Sequence, residues 1–291
     1  MRRVVVIGWA LAAPALVVIL VFFAVPVVMG LSLSLTDFDL YALADLSTLR
    51  FVGLDNYARL LQTPLFWQAL GNTLYFVAIG VPVSIGLSFG AALLLNARVA
   101  KWQPFFRTAL FAPVVTTVVA VAVIWRYLLH TRYGLINQAL ASIGIDPIDW
   151  LGDPHWSMPS IILFAAWKNF GYNMIILLAA LQAVPREIYE SARVDGAGPM
   201  RQFTDLTFPL LTPTLVMVGI MTLAGYFQLF AEPYVMTQGG PLRSTTSVVL
   251  LMYEEGFRWW RMGYAAAIAF VLFVVILLAT MVQFRLQRDR A

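Results

Sequence analysis

Apolar residues run along this chain in long blocks separated by short polar segments. Six blocks reach the length of about 20 residues that takes a helix across a bilayer core: Trp9–Leu35, Leu70–Leu95, Thr108–Leu129, Met158–Leu181, Leu206–Phe230 and Tyr264–Phe284. The pattern predicts an all-α membrane protein with six transmembrane helices in one domain over residues 1–291. Composition agrees: 61% of the 291 residues are hydrophobic and only 12% are charged, far from the balance of a soluble protein.

One polar segment breaks the monotony. Pro185–Pro209 holds Arg186, Glu187, Glu190, Arg193, Asp195, Arg201 and Asp205 between the fourth and fifth blocks. Such a run cannot sit in hydrocarbon and must stand in water. Pro185 suits a first helical position, and Glu187 and Glu190 place negative charge near a helix N-terminus. Ile188 and Ala192 are four residues apart and share a face that a partner could meet. Asp195-Gly196-Ala197-Gly198 ends the helix and Pro199 starts another. Two short helices are expected, either seated on another protein or lying along the lipid surface.

Charge fixes an orientation. Met1-Arg2-Arg3 opens like a signal peptide, but the apolar stretch behind it is too long and no small-residue cleavage site closes it, so a retained first span is expected. With both termini in the cytoplasm, the inner segments hold eleven basic residues (Arg2, Arg3, Arg98, Lys101, Arg107, Arg186, Arg193, Arg201, Arg285, Arg288 and Arg290) against seven outside. The positive-inside bias therefore places Pro185–Pro209 in the cytoplasm. The net charge of +4 is spread along the loops rather than clustered, which gives no footprint for nucleic acid.

Several spans contain groups that matter. The second has Gly86-x-x-x-Gly90, a spacing that lets a neighbouring helix approach. The third is expected to bend at Pro113 and to end at Trp125-Arg126-Tyr127. In the fourth, Lys168 and Tyr172 lie one turn apart, with Asn169 and Asn173 repeating that spacing beside them. An ionisable group inside a span points to function unless it snorkels to the interface. In the fifth, Thr222, Tyr226 and Leu229 follow i, i+4, i+7, with Gly225 and Gln228 alongside. Hydroxyls, an amide and an aromatic ring on one face suit a sugar, and equally suit contact between helices. Gly239-Gly240-Pro241 is strong turn chemistry, Val248–Met262 reads as an interfacial helix, and Gly263-Tyr-Ala-Ala-Ala267 is small enough for close packing. His130 and His155 have no clustered carboxylates, so no metal site is expected. The chain has no cysteine.

Glu190-Ser191-Ala192, Asp195-Gly196-Ala197 and Leu206-x-Phe208-Pro209 together resemble the "EAA" signature of ABC-importer permeases. Phe51-Val-Gly-Leu-Asp-Asn-Tyr57, Met236-Thr-Gln-Gly-Gly-Pro241 and Gly263-Tyr-Ala-Ala-Ala267 are similar to phrases in the maltose, lactose, multiple-sugar and glycerol-phosphate branch of that class. The resemblance covers nearly the whole chain. It implies the type I importer permease fold, six membrane helices with a cytoplasmic coupling helix in the loop 185–205, in a bacterial inner membrane. It implies that Glu187, Glu190, Ser191, Ala192, Asp195, Gly196 and Ala197 seat in a groove of a cytoplasmic ATPase dimer. The other partners it implies are a second permease subunit, an extracytoplasmic substrate-binding protein and membrane lipid. Carried over from the maltose permeases, sugar contacts fall on Lys168, Asn169, Tyr172, Thr222, Gly225, Tyr226 and Leu229.

No Gly-x-x-x-x-Gly-Lys-Ser/Thr sequence occurs, so ATP and magnesium are expected on the partner and not on this chain. No catalytic residue, cofactor or nucleic-acid partner is expected. An ion-coupled carrier would show internal repeats and a midplane ion site, yet no repeat is visible and no carboxylate lies in the six blocks. The expected substrate is a di- or oligosaccharide. Glycerol-3-phosphate or a related phosphodiester is the alternative, because Lys168 could pair with a phosphate.

Overall fold

A computed structural model describes residues 2–97 and 102–288. Arg98, Lys101 and Arg290, counted above among the inner basic residues, lie outside the described residues. The described chain is helical, with one isolated bridge between Thr36 and Phe51. Five helices are long and apolar enough to cross a membrane, and a bent pair makes a sixth span. These are α1 (Leu11–Ser34), α2 (Pro64–Asn96), α3 (Gln103–Val115) with α4 (Val118–Leu128), α5 (Pro154–Ala183), α7 (Pro199–Phe227) and α9 (Met262–Arg285). Between them lie α6 (Arg186–Val194) and α8 (Ala231–Met236).

The chain forms two compact units. The first joins Met1–Trp67 to Leu251–Val274. In it α1 buries almost nothing: Phe22 is 76% exposed, as a surface facing lipid would be. The FVGLDNY phrase has a structural purpose here. Asn56 Nδ2 donates to the carbonyls of Ser34 and Thr36 at 2.9 and 2.8 Å, and the Tyr57 and Ser34 hydroxyls share a 2.7 Å bond. These bonds fasten the Asn56–Tyr57 segment to the open C-terminal end of α1. The backbone N–H of Arg50, and then its guanidinium, hold the Asp37 carboxyl below the usual carboxylate range. A Cβ on Gly263 would sit 2.2 Å from the Thr36 carbonyl oxygen, so the small-residue opening of α9 is where backbones meet.

The second unit joins Gln68–Leu250 to Val275–Ala291. Its centre is α5, with Ile161, Phe164, Ala166, Met174 and Leu177 fully buried. Ala92 and Leu95 of α2 and Leu211 and Val218 of α7 pack against Met174, Leu177, Leu178 and Leu181. Lipid tails are as apolar as these side chains, so dispersion and fit hold the bundle rather than escape from water.

Four expectations change. The third span is not one helix bent at Pro113: Pro113 stays helical, and the break comes at Thr116 and Thr117, whose extended backbones turn α3 from α4 by 100°. Gly86 and Gly90 do not meet a helix, since a Cβ on either would touch nothing within 4 Å; the close contact falls at Gly171, where a Cβ would lie 2.4 Å from the Leu110 carbonyl oxygen. The fifth span is helical from Pro199, through a π-helical turn at Phe203–Thr207, and ends at Phe227 rather than Phe230. The expected helix over Val248–Met262 is shorter, Val248–Tyr253 followed by a π-helical turn at Glu254–Arg258.

Candidate functional site

Two features define the site, and both belong to the second unit. The first is a cavity of about 550 Å³, within the range of small-molecule sites. It lies where two helices stop short. Val114 lines it at the end of α3, and Gln228, Leu229 and Phe230 line it in the break between α7 and α8. That second break is held by the Ser247 hydroxyl, which donates to the Leu229 carbonyl. Asn169, Tyr172 and Asn173 face the cavity from α5, and Thr222, Gly225 and Tyr226 from α7. The two polar stripes expected from sequence are thus brought together, and Asn173 Nδ2 donates to Thr222 Oγ1 at 2.9 Å. That bond leaves the Thr222 hydroxyl proton free to donate.

Tyr226 is 6% exposed, and its ring lies 5.0 Å from that of Phe76. Its hydroxyl and that of Ser84 are buried without a well-formed hydrogen bond, although Ser84 and Asn169 both stand beside the Tyr226 hydroxyl. Tyr172, by contrast, is 47% exposed and presents its ring openly.

Lys168 does not line the cavity. It is 7% exposed, and its ammonium donates at 3.2 Å to the Val114 carbonyl. The break after Val115 frees the last carbonyls of α3, and a cation is a fitting cap for a helix C-terminus. Lys168 is thus turned to the end of α3 rather than into the cavity, and it caps the broken helix that supplies one wall. Replacing it with Met should lower the thermal unfolding midpoint of the purified protein by the equivalent of about 1–3 kcal/mol, the cost of orphaning a buried acceptor. An unchanged midpoint would remove Lys168 from this role.

Glu232 also lines the cavity, and the sequence reading missed it. It lies two residues past the expected end of the fifth block, and its signal was a carboxylate placed immediately before Pro233. Phe76, Val114, Ala165, Met221 and Ala231 also line the cavity and gave no signal, being ordinary apolar residues of a span.

The second feature is α6 with the start of α7. Helix α6 ends with its Ala197 N–H on the Ala192 carbonyl at 2.8 Å and its Gly196 N–H on Arg193 at 3.1 Å, with Gly196 at φ +79°. That pair of bonds around a left-handed residue is the Schellman ending. Tyr189 and Thr207 hydroxyls, 3.1 Å apart, tie α6 to the base of α7. Glu187, Glu190, Ser191, Asp195 and Gly196 are exposed, while Ala192 and Ala197 are half-buried. Ile188 is half-buried too, so the face offered outward is not the Ile188–Ala192 face but that of Glu187, Glu190, Ser191 and Val194, the last 88% exposed.

The fold defines a multi-pass membrane protein with a cavity among its helices. The family described as "Binding-protein-dependent transport system inner membrane component" matches residues 1–291, and the chain belongs to it. It is 37% identical over 288 residues to the lactose transport system permease protein LacF of Rhizobium radiobacter, covering 97% of this chain and 94% of the relative. It is 34% identical over 276 residues to the arabinooligosaccharides permease AraP of Bacillus subtilis, covering 94% and 86%. Its fold, the type I importer permease fold, matches a chain of a bacterial ABC transporter that imports the acidic polysaccharide alginate, at a TM-score of 0.81 and 24% identity over 97% of this chain and 95% of that one.

Proposed function

We propose that this chain is one permease subunit of an ABC importer that moves a di- or oligosaccharide into the cytoplasm, with the cavity as its solute path. The observation behind this reading is the cavity's lining: an open tyrosine ring, amides and hydroxyls set among apolar side chains. Sugars need hydrogen bonds at their edges and stacking on their faces, and these groups offer both. The spans that supply them, α5 and α7, flank the charged α6 segment. In this reading that segment is the cytoplasmic coupling helix, seated on an ATPase dimer that binds ATP and magnesium. Both termini then lie in the cytoplasm of a bacterial inner membrane. Closure of the ATPase dimer draws the coupling helices together and opens the path outward. Lactose and arabinooligosaccharide permeases among the relatives support a carbohydrate. The alginate transporter, solved with an alginate pentasaccharide-bound periplasmic protein, supports a partner that delivers it. A second permease subunit completes the path. Glycerol-3-phosphate rested on Lys168, whose ammonium is engaged by Val114, and no cation is among the lining residues.

The test is uptake of labelled lactose, maltose, arabinooligosaccharides and glycerol-3-phosphate by cells with and without this gene. Loss of one sugar's uptake is expected; loss of glycerol-3-phosphate uptake alone would overturn the reading. Tyr226→Phe then separates site from scaffold. If its hydroxyl serves only packing, removing a buried group that makes no well-formed hydrogen bond leaves stability near unchanged and transport intact. As a solute contact, its loss should cut uptake by roughly tenfold, the worth of one hydrogen bond, with no fall in membrane content.

A further inference from the structure

We propose that Glu232 sets the charge selectivity of this cavity, admitting uncharged carbohydrate and turning away solutes that bear a carboxylate, sulfonate or phosphate. The inference rests on the cavity being the solute path. Of its lining residues, Glu232 alone has a carboxylate and none has a cationic side chain. Two cations lie behind the wall: Arg126 of α4 reaches α8, the helix that presents Glu232, and Lys168 of α5 reaches the end of α3. Each donates to a backbone carbonyl: Lys168 to Val114 at 3.2 Å and Arg126 to Val235 at 3.3 Å. Burial pushes the Glu232 carboxyl above the usual carboxylate range, and Lys168, acting through space, pulls it back down; among the described residues neither cation forms an ion pair with it. Above that raised pKa Glu232 is ionised, and the charge a solute meets on the wall is negative, with its nearest compensation behind the wall.

The chemistry discriminates in one direction. A sugar hydroxyl can donate to the Glu232 carboxylate, a charge-assisted bond stronger than one to a neutral acceptor. An anionic substituent at the same distance has no proton to give and meets like charge in a setting less polar than water, where repulsion is felt most. Selectivity of this kind adds to whatever a delivering protein imposes.

A test needs no knowledge of the natural solute. The chain has no cysteine, so Gly225→Cys introduces a single thiol at a lining position where a Cβ would touch nothing within 4 Å. In membrane vesicles holding the full chain, that thiol is reacted with three methanethiosulfonates bearing trimethylammonium, hydroxyl or sulfonate ends. Rates are divided by those for free 2-mercaptoethanol. The cationic reagent is expected to outpace the anionic one by roughly tenfold or more, the effect of one charge within a few ångströms. Adding Glu232→Gln should bring the ratio close to one, and adding Glu232→Asp should keep it, which separates charge from damage to the fold. A ratio that stays the same with Gln at 232 would overturn the charge proposal alone. A thiol that reacts with none of the three, the neutral reagent included, would overturn the solute-path reading and this inference with it.

Discussion

Gly196→Asp should abolish transport while leaving the amount of protein in the membrane near that of the unaltered chain. Gly196 ends α6 in the left-handed region, at φ +79°, where a Cβ is ordinarily penalised by about 1–2 kcal/mol. Asp is among the side chains that tolerate that region best, so the Schellman ending survives. Space inside the chain is no obstacle either, because a Cβ there would meet nothing within 4 Å. What changes is the outward face. Gly196 is exposed next to Asp195 at the end of α6, and the variant adds a second carboxylate and a larger side chain where a partner must seat closely. The measurement is uptake alongside an immunoblot of the membrane fraction, with Gly196→Ala as the smaller step and an intermediate loss expected. Normal uptake by Gly196→Asp would mean that α6 is not the coupling surface.

The outline of this fold was legible because membrane spans are written as long apolar runs, which survive in sequence whatever they pack against. The chemistry of α6 was legible for the opposite reason: charge in such a chain has few places to go. What escaped was decided by backbone. The break at Thr116–Thr117 has no strong marker, while Pro113, the obvious breaker, remains inside its helix because a membrane helix lets neighbours answer its free carbonyl. That one shift recast Lys168. Placed in an unbroken span it looks like a solute contact; placed beside a helix that stops at Val115, it finds a bare carbonyl and caps it. Glu232 escaped because its importance depends on α7 ending at Phe227 and α8 turning its first residues toward the cavity. The stripes Asn169–Tyr172–Asn173 and Thr222–Gly225–Tyr226 were readable from spacing alone, since helical period dictates which residues share a face.

Gly171→Val should lose both transport and protein. A Cβ at Gly171 would lie 2.4 Å from the Leu110 carbonyl oxygen and 3.1 Å from the Phe111 Cα. Both are backbone atoms, so relief requires α3 and α5 to separate rather than a side chain to swing aside. Overpacking of this kind costs about 1–3 kcal/mol or more even where soft neighbours can yield. Separation has a second consequence. Lys168 is one turn before Gly171, and its ammonium reaches Val114 only while the two helices stay in contact. Moving them apart leaves a buried cation and a buried acceptor unmatched at once, and displaces Val114, Asn169 and Tyr172 from the cavity wall. The expected result is a thermal midpoint lowered by several degrees, sharply reduced membrane content, and no uptake. Gly171→Ala should show the same signs more weakly. If Gly171→Val reached the membrane in normal amount with an unchanged midpoint, the α3–α5 contact would not be what positions the broken helix, and the wall it supplies would need another support.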